Sequence, residues 1–383
     1  MALPGATDTL VRQPVKGVRR EVLLMRAFQS RLIGPVLRRL SGPQRLVEMG
    51  MAFWSSRLIL SAMEAGVFTE LAAGPRSPEE LTQILGWHPR AAATALDALV
   101  EAGLLRRDRS GRYSNTVRTG LFLDRARPSY VGGLMELSSN RLYDLWSRLD
   151  DLLQTGRPGA DEERGDNEFF SMLYRDPVAL RNFLSGMTGV STGEATLLAA
   201  RFPWRRFGTF VDVGCAQRAL PVRVALTHPH LQGCGFDLPA VEPIFTEYVA
   251  SFGLTERLGF VAGDFLEAPL PSADVLSFGH VFQGRSTTVR KELAAKVFDA
   301  INPGGALVIY DARIRLGHRN NYQSLLSSLN IMLESREGYE SSTDECAEIL
   351  RSTGVRGIKV RHLIGPASAV YGFKPDRRAE FVR

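Results

Sequence analysis

Cysteine is nearly absent from this chain: Cys215, Cys234 and Cys346 are the only three in 383 residues, and no two are spaced C-x-x-C. That excludes a disulfide framework and a cysteine-based zinc site, and it fits a reducing cytoplasm. Lysine is also scarce, five against 42 arginines, a bias that suggests a GC-rich coding sequence more than a physical need. No apolar run approaches the roughly 18 residues needed to span a bilayer, so no membrane partner is expected. Even net charge is missing from most of the length. Nine Lys and Arg through Arg45 face only Asp8 and Glu21, so the first segment carries +7 of a total of +6 and the remainder is −1.

What remains is an ordinary globular composition, 44% hydrophobic and 23% charged, long enough for two or three compact units. Residues 1–40 read as a basic extension, 41–123 as a first domain, 124–203 as a helical connector and 204–383 as an α/β domain. Three readings of the extension stay open. Val22-Leu23-Leu24, Phe28, Leu32-Ile33 and Val36-Leu37 recur at helical spacing, as in a helix packing on a partner subunit. An arginine-rich, acid-poor start also suits a transit peptide, or an arm on nucleic acid.

The first domain opens on an apolar stretch, Met49 to Leu60. Ser77-Pro78-Glu79-Glu80 is a helix start, with Ser77 as N-cap and acids in the first turn. A second helix runs from Pro89 to Ala102, and Leu104–Arg107 with Arg112–Asn115 makes a short hairpin. Helix, helix, hairpin is a winged helix, but its second helix carries one base against two acids and is rich in alanine. A DNA reader needs basic residues there. The composition favours packing on another helix, and no nucleic-acid partner is expected.

The connector is helical and rich in aromatics, with a polar, glycine-rich loop at Gly156–Gly165. Most of its aromatics and methionines belong to the core. Tyr143, Trp146 and Met187 are the candidates for roofing a pocket over the next domain, with Asn330 on a later helix.

The rest of the chain is organised around Thr209 to Asp237. Phe210-Val211-Asp212-Val213 is a short apolar run stopping at Gly214, as a buried parallel strand does. A helix follows, and Gly233-Cys234-Gly235-Phe236 ends in Asp237, with Leu238 next. A carboxylate at the tip of the second strand of a βαβ unit, about 20 residues past the first glycine, is where a nucleotide ribose is held. A dinucleotide fingerprint would need glycine at Ala216 and Ala219, and neither is there. Downstream come Val261-Ala262-Gly263-Asp264-Phe265, Ala273-Asp274-Val275-Leu276-Ser277, and Asn302-Pro303-Gly304-Gly305 before Ala306–Tyr310.

In order and spacing these blocks resemble the class I S-adenosylmethionine-dependent methyltransferases, and more narrowly the bacterial and plant small-molecule O-methyltransferases. The likeness extends over roughly residues 42–374. It implies an α/β fold: a Rossmann-like doubly wound sheet preceded by a winged-helix dimerisation domain. It also implies a small-molecule substrate, S-adenosylmethionine as cofactor and no metal. Asp212, Gly214 and Leu238 would shape the cofactor cleft, Asp237 would accept the ribose hydroxyls, and Asp264 with Phe265 would hold adenine.

Two departures stand out. The family loop, D-x-G-x-G-x-G, has glycine where this chain has Arg218. If that position needs a positive φ, arginine costs roughly 1 kcal/mol or more; its side chain can instead fill the cofactor's methionine site or pair with the methionine carboxylate. The family also reads H-x-x-H-D-W, whose second histidine is the general base, where this chain reads His280-Val281-Phe282-Gln283-Gly284-Arg285. Gln283 stands in the base's place and cannot take a proton at neutral pH. General-base help is worth about 10²–10⁴-fold. Asp311, on the position of the acid that orients the family's base, is left without its histidine, and His280 is the remaining candidate. Three functions follow: a methyltransferase in secondary metabolism that needs no histidine base; a degenerate partner that pairs with an intact relative or uses the pocket for another reaction; or a winged-helix DNA regulator. The dimer is a homodimer in the first case and a heterodimer in the second.

Overall fold

The structure is a computed structural model describing residues 43–127, 129–157, 173–217, 219–315 and 321–376. The basic extension, Arg218 and most of the expected 156–165 loop lie outside the described residues. The described chain forms two compact units, one ending at Ile59 and the other beginning at Leu60. Helices of eight residues or more are numbered here, with all strands.

The first unit holds α1 (Pro43–Gly50) and the start of α2 (Ala52–Glu64). Leu46, Val47, Met49, Phe53 and Trp54 are all exposed on it. In the second unit Ser77 caps α3 (Pro78–Leu85) as its sequence requires. Its hydroxyl accepts from the Glu80 amide at 3.2 Å, and the Glu80 carboxylate accepts from the Ser77 amide at 2.7 Å. This reciprocal box satisfies two of the helix's orphan donors. α4 (Pro89–Glu101) buries Ala92, Leu96 and Leu99, and the hairpin β1 (Leu105–Arg107) and β2 (Tyr113–Asn115) follows. Asp97 of α4 anchors the wing by accepting from the Tyr113 hydroxyl at 2.7 Å and from Arg107 at 3.1 Å.

A long helix, α5 (Pro177–Arg201), leads into the α/β domain. There β3 (Thr209–Val213), α6 (Ala219–Thr227) and β4 (Gln232–Asp237) make the expected βαβ unit. They continue into α7 (Glu242–Ser251), β5 (Leu258–Ala262), β6 (Ala273–Gly279), α8 (Thr287–Ala300) and β7 (Ile301–Ala312). The chain ends with α9 (Tyr322–Glu334), α10 (Thr343–Ser352), β8 (Arg356–His362) and β9 (Ala367–Phe373). The seven-stranded sheet is ordered β5-β4-β3-β6-β7-β9-β8. All neighbours are parallel except β9, which runs antiparallel to both β7 and β8. The antiparallel strand is therefore one in from the rim, not at the edge itself.

Both faces are covered, so the strands read as apolar runs and alternate between two cores. Phe210, Val275 and Val308 face one cluster, while Val211, Leu276 and Leu307 face the other. The strand order reverses between β3 and β6, which opens a crevice at their carboxyl ends. Among the described residues no helix is long and apolar enough to cross a membrane, and no His, Cys, Asp and Glu group is arranged to hold a metal ion.

Gly305 fits the sheet tightly. A Cβ on Gly305 would lie 2.3 Å from the Asp274 carbonyl oxygen and 2.6 Å from Ile301 Cγ2. Backbone cannot step aside, so Gly305→Ala is expected to cost about 1–3 kcal/mol, read as a lower urea midpoint at unchanged slope.

Candidate active site

A cavity of about 660 Å³ opens at the carboxyl ends of β3, β4 and β6, within the usual range of about 300–1,000 Å³ for small-molecule sites. Gly214 forms its floor with φ +66°, and a Cβ there would sit 2.5 Å from Val281 Cγ2. Only glycine takes that conformation cheaply and lets the backbone come so close to its neighbour. Two residues on, Ala216 has φ +50°, so the left-handed turn expected of a glycine is made by alanine. The second strained position is His280, at φ +56°. Strain of this kind costs on the order of 1–3 kcal/mol and persists only where its surroundings impose it.

Asp237, at the tip of β4, is held from both sides. One oxygen accepts from the Ala216 amide at 2.9 Å, and the other accepts from its neighbour Leu238 at 2.8 Å. Asp212 is buried beneath the loop and accepts from Ser277 Oγ at 2.6 Å, across the β3–β6 register that pairs these two residues. Asp264 caps its own turn by accepting from the Leu266 amide at 2.8 Å, and the Arg285 guanidinium lies over the Phe265 ring at 5.8 Å. Asp212, Gly214, Asp237, Leu238, Asp264 and Phe265 all line the one cavity. The carboxylate at a strand end, the amide-rich turn and the cradle that a Cβ would fill together fit an adenosine-containing cofactor.

Met187 also lines the cavity, on α5, whereas Tyr143, Trp146 and Asn330 are not among its lining residues. Trp146 packs instead with Leu145, Leu152 and Leu333, and its indole N–H donates to Asn330 Oδ1 at 2.9 Å. The Asn330 amide in turn donates to Glu334 Oε1. Glu334 and Tyr174 are wall residues that sequence reasoning missed. Burial first, then the charge of Asp237, pushes the Tyr174 hydroxyl well up, so it stays a proton donor.

His280 is clamped on both ring nitrogens. Nε2 lies 2.8 Å from Glu194 Oε2 on α5, and Nδ1 lies 3.2 Å from Asp311 Oδ1 on β7. Burial alone would lower its pKa, but the two carboxylates overcome it and raise it well above the usual value. The ring is an imidazolium with both nitrogens occupied. A group in that state has no lone pair with which to accept a proton.

Gln283 is not on the cavity wall. With its amide nitrogen turned to the acids it donates to Asp311 Oδ1 at 2.6 Å and to Glu340 Oε1 at 3.0 Å. Asp311 therefore does orient a partner, a carboxamide shared with Glu340, besides His280. Burial, then the charge of Asp311, pushes the Glu340 carboxyl up to about 8. Glu194 and Glu340 left faint sequence signals, single acids among small and apolar neighbours, but their partners lie far away along the chain.

The comparisons with known proteins agree with this geometry. Residues 146–356 match the O-methyltransferase domain, and residues 47–125 match the O-methyltransferase dimerisation domain. The chain is 39% identical over 334 residues to the tetracenomycin polyketide synthesis 8-O-methyl transferase TcmO of Streptomyces glaucescens, covering 87% of this chain and 97% of that protein. It is 35% identical over 311 residues to the N,N-dimethyltransferase OxyT of Streptomyces rimosus, covering 81% and 90%. Human N-acetylserotonin methyltransferase, solved in complex with SAM, has the same fold, with a TM-score of 0.79 at 24% identity over 88% of this chain and 99% of that one. The class defined by fold and site is the S-adenosylmethionine-dependent methyltransferase. Within it, this chain belongs to the small-molecule O-methyltransferase family, with that family's dimerisation domain.

Glu340 makes stability depend on pH. A folded-state pKa raised from 4.5 to about 8 means that the native protein keeps a proton the unfolded chain loses, so this contribution is present at acid pH and lost as pH rises through about 8. Glu340→Gln should therefore gain thermal stability relative to wild type as pH rises from 4.5 to about 8, with no further gain above that. Melting curves of both proteins across that window check the sign.

Proposed function

We propose that the protein transfers a methyl group from S-adenosylmethionine to an oxygen of an aromatic small molecule of the polyketide type. The observation that carries this reading is a cavity in which the acids at the strand tips adjoin a mostly apolar chamber lined by Phe183, Leu184, Met187 and Ile331. Its agreement with TcmO, a polyketide 8-O-methyl transferase 39% identical over nearly its full length, supports the substrate class. The relatives are methyltransferases in their own right, so the degenerate-partner alternative gains no support from them.

In this reading Asp237 holds the ribose hydroxyls, Gly214 lets the loop backbone approach the methionine part, and Asp264 with Phe265 holds adenine. When bound, S-adenosylmethionine supplies an electrophilic methyl group on a sulfonium centre. The chain's own residues position the acceptor and exclude water, and alignment of the reacting atoms is a large share of the rate in such transfers. His280 is a strut, fixing α5 to β7 through its two carboxylates, and the Gln283 carboxamide spaces Asp311 from Glu340. The dimerisation domain and the exposed apolar side chains of Phe53 and Trp54 support a homodimer. The three free cysteines suit a reducing cytoplasm.

Calorimetric titration with S-adenosylhomocysteine should show binding, and Asp237→Ala should weaken it about 10–100-fold, the loss of a charge-assisted pair of hydrogen bonds. Mass spectrometry of reactions with a panel of aromatic phenols, amines and carbon acids then tests the acceptor. Methylation confined to amines or carbon would overturn the oxygen assignment.

A further inference from the structure

The strand tips lay out the cavity in a fixed order, for the sheet runs β5, β4, β3, β6, β7. Asp264 and Phe265 follow β5, Asp237 ends β4, Gly214 follows β3 and Gly279 ends β6, and all of them line the cavity. Neighbouring strands are about 4.8 Å apart, so the tip of β6 lies two spacings, roughly 10 Å, from the tip of β4. With adenosine held at β5 and β4, the part of the cofactor that reaches β6 is its amino-acid end.

Tyr310 of β7 stands at that tip, registered opposite Gly279. Its ring leans over the glycine: a Cβ built on Gly279 would overlap the Tyr310 hydroxyl oxygen and Cζ and lie 2.6 Å from Cε2. The hydroxyl therefore rests against the Gly279 backbone. Val213 pairs with Phe278, so the next residues along, Gly214 and Gly279, stand side by side and leave room for the phenol. Tyr310 is only 4% exposed, its ring belongs to the core cluster under α5, and it lines the cavity. Among the described residues its hydroxyl has no hydrogen-bond partner. A buried hydroxyl in that position is unfavourable unless a ligand supplies the partner. The hydroxyls of Thr188 and Ser191, also on the wall, are turned back to their own helix, donating to the carbonyls of Leu184 and Met187 at 2.9 and 2.8 Å. Burial, then the charges of Asp212, Glu194 and Asp311, raise the Tyr310 pKa well above its ordinary value. It is thus a neutral phenol with a proton to offer.

We propose that Tyr310 is a cofactor-binding residue, its hydroxyl donating a hydrogen bond to the α-carboxylate of the cofactor's methionine part. The proposal rests on the S-adenosylmethionine reading above. The two charged groups of that end ask for opposite partners: the ammonium brings only donors, the carboxylate only acceptors. A phenol that keeps its proton serves the carboxylate, and it adds no charge beside Asp212.

Calorimetry on the full chain with three ligands tests this assignment. S-adenosylhomocysteine carries the whole amino-acid end, its decarboxylated analogue keeps the amine but not the carboxylate, and methylthioadenosine has neither. Tyr310→Phe removes the hydroxyl and keeps the ring. It should weaken S-adenosylhomocysteine binding about 10–100-fold and change the other two by no more than about twofold. Without ligand the variant should melt no lower than wild type, because the hydroxyl has no partner in the chain to lose. A variant that melts clearly below wild type shows a hydroxyl already bonded within the protein and overturns the proposal. A loss shared by the decarboxylated analogue, or by all three ligands, places the hydroxyl at the ammonium or the adenosine and overturns the carboxylate assignment. A loss on S-adenosylhomocysteine below the stated range overturns Tyr310 as a ligand of the cofactor. In each of these cases the methyltransferase reading stands. If wild type binds none of the three, the cofactor reading falls, and this proposal with it.

Discussion

A buried imidazolium between two carboxylates holds this active site together. His280 joins Glu194 on the long helix α5 to Asp311 on β7, and the ring is favoured in its charged form because both neighbours are acids. Charges so far from solvent are tolerable only when paired and hydrogen-bonded. The positive φ of His280 is part of the same constraint, since that backbone turn aims the ring at its two partners. From Asp311 the network continues to the Gln283 amide and Glu340, and to the Arg313 guanidinium at 3.6 Å. Roof helix, central strands and the loop after α9 thus share one polar thread, and the cavity lies where that thread leaves room.

Within that thread the exchange of a histidine for Gln283 has a clear electrostatic meaning. A carboxamide donates to both Asp311 and Glu340 without adding charge, while burial and the charge of Asp311 make Glu340 keep its proton to a higher pH. The acids that would have primed a base here become the walls of a neutral joint. Gln283 itself is not on the cavity wall, and the carboxylates that line the chamber are brought by other elements.

The sheet was legible from the sequence because its signals are local. Apolar runs stopping at Gly214 and Asp237 define two adjacent parallel strands within thirty residues or so, and the period-two alternation of a covered sheet sorts Phe210 from Val211. The Ser77 cap and the 343–352 helix are equally local. The placement of the cofactor-side acids followed, since strand tips gather at one end of a doubly wound sheet. Partnerships were not legible. Glu194 and His280 are 86 positions apart, and Trp146 and Asn330 are 184 apart, so only packing reveals that Trp146 serves the wall from behind and that His280 is fully engaged. Arg218, where a positive φ would carry strain, lies outside the described residues; among those described, the left-handed non-glycine conformations fall on Ala216 and His280.

The position of β9 also governs the order in which the domain can be completed. It is the last strand among the described residues, yet it lies between β7 and β8, pairing with both. During synthesis β7 therefore leaves the ribosome with one flank bare, and that flank stays unpaired through α9, α10 and β8, until residues 367–373 emerge. An unpaired strand edge is a template for adhesion to another chain, and it persists longest in a nascent domain whose closing strand comes last. The same residues that make the finished sheet continuous leave the growing chain exposed to aggregation until they arrive.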